Sequence, residues 1–217
     1  STAEPFTSAT FSNMTFLGPK VFDADFQNTT DYLDGGKMNP GNGSSTGRFQ
    51  AGMHLRRNTR LNCYNSVVAG WPIGLILDSE KGNTQKAATD GLLQLHRIVF
   101  AGTDITGSDF NKVYKDELYN YQSKTTDPSK KSFSSTFFLL PANGNKVVDQ
   151  WVARSWQGIQ SIIAASTSVG GALQGSFAEL QSNNWFDKSA TFVGAFRDAS
   201  DDWTAGWANF DPENTIY

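Results

Sequence analysis

The feature that most constrains this chain is a short β-prone unit that recurs and closes each time on glycine. Asn13-Met14-Thr15-Phe16-Leu17-Gly18 can be laid over Asn65-Ser66-Val67-Val68-Ala69-Gly70, and both over Arg97-Ile98-Val99-Phe100-Ala101-Gly102. A shorter fourth copy is Thr191-Phe192-Val193-Gly194. Thr, Val, Ile and Phe favour extended backbone, and Gly takes the left-handed conformation that a sharp corner needs. The Gly-to-Gly intervals are 52, 32 and 92 residues. Helical and propeller repeats hold their period more closely, whereas a parallel β-helix lets loops of any length leave its corners. The expected fold is therefore mainly β: a right-handed parallel β-helix (solenoid) with long loops and a few short helices packed on its side or end. Residues 1–217 are expected to be one such domain or the C-terminal part of a longer one, with 106–184 as an insertion of loops and helices.

The stretch from Met53 to Ser79 carries the same grammar at finer scale. His54-Leu55-Arg56, Arg60 to Val68 and Ile73 to Leu77 are three short strands separated by turn residues, the last two by Gly70-Trp71-Pro72. A polar loop from Ser79 to Asp90 precedes the next strand, Leu92 to Phe100. Gln27 to Gly47, rich in Gly, Asn and Ser, is expected to be a surface loop. After Ser108 the pattern changes. Ser108 can cap a helix that aligns Phe110, Val113, Tyr114, Leu118 and Tyr121. Lys124 to Ser135 is expected as a loop, and Phe137 to Leu140 as a short strand or buried turn. Lys146 to Trp156 and Ala172 to Gln181 are expected as helices, with a flexible Ser166 to Gly171 between them.

Composition narrows the class. Ser, Thr, Asn and Gly make up 76 of the 217 residues and charged residues only 18%, which suits corners and loops of an exported surface. Sixteen Phe and six Trp argue against disorder. No apolar run approaches the roughly 18 residues of a membrane span. A net charge of −3 and a pI near 5.3 disfavour nucleic acid as the main ligand. Cys63 is alone and lies in an apolar stretch, so a buried small hydrophobe is expected rather than a disulfide or reactive thiol. The chain opens Ser-Thr-Ala-Glu-Pro and ends at Tyr217, which suggests a processed product or a piece of something longer.

Catalytic signatures are sparse. Polysaccharide hydrolases of the β-helix type need converging carboxylates, roughly 5–10 Å apart across the glycosidic bond. The adjacent pair Asp201-Asp202 is better read as a turn before Trp203, since neighbours on a strand point to opposite faces. Lyases need acidic calcium ligands beside an Arg or Lys base. Arg56, Arg57 and Arg60 form the one dense basic group, without a nearby Asp cluster. His54 and His96 are expected to be packing or hydrogen-bonded residues. No catalytic, cofactor or metal site is expected. Five of the six Trp, at 151, 156, 185, 203 and 207, fall in the last 70 residues. They are expected to close the last apolar layer; Trp203 and Trp207, with Arg56 and Arg57, are also the candidate ligand or partner surface.

Phe192-Val193-Gly194-Ala195-Phe196-Arg197 and Asp202-Trp203-Thr204-Ala205-Gly206-Trp207-Ala208-Asn209-Phe210-Asp211-Pro212 together resemble the closing segment of secreted parallel β-helix surface proteins of Bacteroidetes. Met53 to Asn58 and Asn65 to Leu75 are similar to a coil of the same family. The resemblance implies type IX secretion and display on, or release from, the outer surface of a Gram-negative bacterium. It brings no catalytic residues. The expected function is that of a non-catalytic secreted or cell-surface protein with a structural, adhesive or assembly role, its partners being proteins, further copies or glycans. The alternative is a polysaccharide lyase or glycoside hydrolase.

Overall fold

The computed structural model describes residues 3–23, 50–149, 151 and 153–215. The expected loop at Gln27 to Gly47 lies outside them. Ten strands and three α-helices are described, the strands being β1 Thr10–Ser12, β2 Thr15–Leu17, β3 Ala51–Arg56, β4 Asn62–Ala69, β5 Ile73–Asp78, β6 Gln94–Ala101, β7 Ile105–Ser108, β8 Leu118–Asn120, β9 Thr125–Asp127 and β10 Lys146–Val148. The helices are α1 Thr84–Thr89, α2 Phe133–Phe138 and α3 Ile159–Gly170. One parallel sheet runs β1-β4-β6-β10, with β2 also on β4; a second parallel sheet runs β3-β5-β7; β8 and β9 form an antiparallel pair. This overturns the expected β-helix solenoid. Two parallel sheets of few, short strands and three helices take its place, because after Ser108 the chain leaves the sheets and only three residues, Lys146–Val148, rejoin one.

Within the first sheet, the aligned repeat units are the register itself. Thr15, Phe16 and Leu17 pair with Val67, Val68 and Ala69. Those in turn pair with Val99, Phe100 and Ala101. The leading residue of each unit, Asn13, Asn65 or Arg97, sits in the left-handed region at φ 55°, 48° and 55°. One such residue shifts the alternation of a strand by one place, as a bulge does. Cys63 and Leu95 before it, and Val68, Ile98 and Phe100 after it, therefore face the same core, against Met53, Leu55, Leu75 and Leu77 of the second sheet. Val67, Ala69, Val99 and Ala101 face a second core with Ala165 and Val169 of α3. The closing glycines are left-handed at Gly70 (φ 71°) and Gly102 (φ 60°), but Gly18 is extended at φ −99°.

The fourth repeat copy is not a strand. Thr191 to Gly194 crosses the left-handed column instead: Asn13 Nδ2 donates to the Phe192 carbonyl at 2.7 Å, and Gly194 N donates to the Asn65 carbonyl at 2.9 Å. Its place in the sheet is taken by β10, which pairs with Val99 to Ala101 where a helix was expected. The expected helix after Ser108 is absent too. Ser108 ends β7, and the buried Asp109 accepts from the backbone N–H groups of Tyr119, Phe133 and Ser134, tying β8 and α2 to the second sheet. The expected loop from Lys124 to Ser135 contains β9 and the start of α2, Phe137 and Phe138 end that helix, and the loop from Ser79 to Asp90 contains α1. In place of the helix at Ala172 to Gln181, α3 occupies 159–170 and takes in most of the stretch expected to be flexible. Among the described residues, no helix is long and apolar enough to cross a membrane.

Asn65 is the busiest member of the column. Its Oδ1 accepts from Ser176 N at 2.9 Å and from Arg97 Nε at 3.1 Å. Asn65→Ala removes both bonds and leaves an alanine in the left-handed region, a combined cost of about 3 kcal/mol. Asn65→Gly keeps the backbone conformation and should lose about 1 kcal/mol less. Urea unfolding of the two variants checks the order, which reverses if the backbone conformation carries no weight.

Candidate functional site

The last described stretch has little regular structure yet is firmly placed. Ala195 N donates to Thr15 Oγ1 at 2.9 Å, and that hydroxyl also lies 2.7 Å from Ser166 Oγ on α3. The next residue, Phe196, is buried, and its ring centroid is 6.0 Å from that of Trp203. Asp202 then opens a tight turn. Its Oδ1 accepts from Thr204 Oγ1 at 2.6 Å and from Thr204 N at 3.2 Å, and Thr204 itself is buried. Trp207 N and Ala208 N both donate to the Thr204 carbonyl, completing about one helical turn that ends near Gly206, at φ 85°.

Residues four apart on a helical turn share a face, so Trp203 and Trp207 lie side by side. Their centroids are 5.5 Å apart at an interplanar angle of 33°. Each indole N–H is engaged by backbone: Trp203 Nε1 donates to the Ala195 carbonyl at 2.7 Å, and Trp207 Nε1 to the Trp203 carbonyl at 3.0 Å. The rings are thus oriented while much of their surface stays open, at 52% and 68% exposure. The expectation that these tryptophans close an apolar layer is corrected. Trp151 packs on the second core, but Trp156, Trp185, Trp203 and Trp207 are all exposed.

A cleft of about 530 Å³ lies on the other side of Phe196, between the C-terminal end of α3 and residues 189–197. Arg197 lines it with its guanidinium 5.5 Å above the Phe192 ring. Residues 187–202 carry four Asp and two cations, a net charge of −2. Asp187 and Asp198 are held below the usual carboxylate range by the hydroxyls of Ser189 and Ser200. Asp201 Oδ2 accepts from Arg197 N at 2.8 Å and closes the preceding loop, while Asp202 serves the turn at Trp203, as the sequence suggested.

Arg56 and Arg57 do not join this site. Arg56 ends β3 near Asp78; Arg57 is exposed in the β3–β4 turn at φ 58°. No hydrogen bond, ion pair or ring contact connects either to Trp203 or Trp207 among the described residues. Cys63 is buried, and desolvation pushes its thiol up to about 11, as expected of an inert core residue. His54 Nε2 lies 3.3 Å from the buried Asp78 carboxylate. His96 stacks on Tyr64 at 5.7 Å, with Nδ1 3.6 Å from Glu179. Among the described residues, no group of three His, Cys, Asp or Glu is placed to hold a metal ion. The residue that sequence reasoning missed is Arg97. It is buried, left-handed and paired through both terminal nitrogens with Glu179, fastening residues 176–180 to the sheet. Compared with protein-family models, curated proteins and solved structures, the chain matches none.

The Arg97 cluster sets a pH dependence. Burial holds the His96 imidazole below its ordinary value of 6.5, outweighing the pull of Glu179. The hydrogen-bonded Arg97 guanidinium holds the Glu179 carboxyl below 4.5. Below pH 6.5 the unfolded chain takes up the histidine proton first, so stability falls on acidification. The Glu179 contribution is complete above pH 4.5 and is lost as pH falls through its lowered value. Urea midpoints measured from pH 7 to pH 3 should therefore drop in two stages. His96→Gln removes the first and Glu179→Gln weakens the second; a single stage below pH 4.5 in the parent protein contradicts the assignment of His96.

Proposed function

We propose that this chain is a non-catalytic secreted or cell-surface protein that binds a neutral glycan on the ledge formed by Trp203 and Trp207. The observation that carries the reading is the indole pair, fixed by hydrogen bonds to backbone and exposed over half or more of its surface. Aromatic faces stack on the apolar faces of sugar rings, and a platform ordered before binding spares the ligand that cost. Beyond the buried Phe196 lies the neighbouring cleft, where Arg197 offers hydrogen-bond donors. The local net charge of −2 favours a neutral chain of sugars over an acidic one. Placement at the outer surface of a Gram-negative bacterium belongs to the same proposal and is supported by the resemblance of the closing segment.

Affinity electrophoresis through gels containing neutral or acidic polysaccharides tests this reading. Retardation is expected with at least one neutral polymer and with none of the acidic ones. Trp203→Ala and Trp207→Ala should each weaken it roughly tenfold, the loss of one ring stack. Their thermal unfolding should stay close to that of the parent, since both rings are exposed. Release of reducing or unsaturated ends from the bound polymer contradicts the non-catalytic reading, and retardation unchanged in both variants contradicts the ledge.

A further inference from the structure

The two sheets share one open end. β1 and β2 are edge strands of the first sheet, and β3 is an edge strand of the second. The far edge of the second sheet is covered: Ser134 on α2 donates to the Ser108 carbonyl at 2.6 Å and accepts from Leu77 N at 2.9 Å. At the near edge, nothing among the described residues pairs with the outer side of β3. Between the two near edges runs an apolar groove of about 260 Å³, lined by Phe11, Met14, Phe16, Met53, Leu55 and Leu61. Phe11 is 44% exposed at its mouth. A strand edge presents unpaired N–H and C=O groups on alternate residues, and one beside an apolar groove accepts an extended chain readily.

Charge distinguishes what can occupy it. Residues 3–23 and 50–61, which carry these edges, contain Lys20, Arg56, Arg57 and Arg60 against Glu4 and Asp23, a net charge of +2 in a chain whose net charge is −3. Lys20 is paired with Asp104, and Arg56 feels the Asp78 carboxylate that His54 engages. Arg57 and Arg60 have no ion pair among the described residues; Arg60 stacks over Phe6 at 4.7 Å. Both lie in the β3–β4 turn, which joins Leu55 to Leu61 of the groove lining. A second copy meeting this end with its own would set cations against cations, whereas an acidic partner complements them.

We propose that this end takes up an extended apolar segment of a partner polypeptide with acidic residues at its flank, added as a strand on β3. The backbone supplies the ladder, the groove takes alternate side chains, and Arg57 and Arg60 receive the carboxylates. The probe is a labelled peptide of alternating Thr and Val ending in Asp-Glu, followed by fluorescence anisotropy on the intact chain. It should bind, and roughly tenfold more weakly when it ends in Lys-Lys or when alternate amides are N-methylated. Arg57→Glu combined with Arg60→Glu should weaken the acidic peptide by a similar factor while leaving retardation by a neutral polysaccharide unchanged. Arg57→Gln, the milder change, should show a smaller loss. Equal binding of all three peptides overturns the proposal. So does no binding up to about 1 mM, the result expected if another part of this chain fills the groove, and so does a concentration-dependent doubling of the mass of the chain alone, which would make a second copy the occupant.

Discussion

Three adjacent strands carry a left-handed residue at the same height, and most of the molecule follows from that column. Asn13, Asn65 and Arg97 each interrupt the pleat after the start of their strand. An L-residue there costs of order 1 kcal/mol or more, least for asparagine. The structure recovers that cost by using the groups the kink turns outward. The Asn65 carbonyl and Oδ1, the Asn13 amide and the Arg97 guanidinium all bind residues between 176 and 194. A long tail with little secondary structure is thereby held to the sheet.

The same column divides the interior. Because each kink moves the alternation by one place, side chains before and after it enter the same core, which lies between the two sheets. The residues in between turn to the opposite face and meet α3. Thr15, two residues past the kink at Asn13, links both systems through Ser166 and Ala195. The ledge is therefore tied to the sheet and α3, and its orientation follows from the pairing of strands far from it in sequence. Preorganisation of this kind suits the proposed glycan ledge, where stacking would do most of the work.

The repeat units were legible because a shared pattern of small, β-branched and aromatic residues reflects a shared register. Aligned Val67, Thr15 and Val99 are neighbours in space. What joins the repeats into a larger form was not legible. A spacing of 32 to 92 residues does not say whether the chain returns to the sheet, and after Ser108 it largely does not. The run Phe110 to Tyr121 has helical spacing, but the buried Asp109 binds three backbone N–H groups of β8 and α2 and overrides that local preference. Lys146–Val148 was hidden by its brevity. Thr191 to Gly194 matched a strand by composition, yet Asn13 and Asn65 bind its backbone crosswise. For the site, Trp203 and Trp207 were visible as residues, and their four-residue spacing was the available sign of a shared face. The role of Arg97 was not visible, because a left-handed arginine has no signature in sequence.

The two proposed surfaces are of different kinds. The ledge is aromatic, weakly acidic around its rim and fixed by backbone; the open sheet end is apolar, basic and completed by a ladder. Together the two proposals make the chain a link between a glycan and a partner polypeptide. The most direct measurement is an indole-region nitrogen–proton NMR titration with the neutral polysaccharide fragment that the chain retains. The Nε1–H resonances of Trp203 and Trp207 should shift together and saturate on one curve, while those of Trp71 and Trp151 stay in place. Shifts confined to other indoles, or none at saturating ligand, would contradict the account.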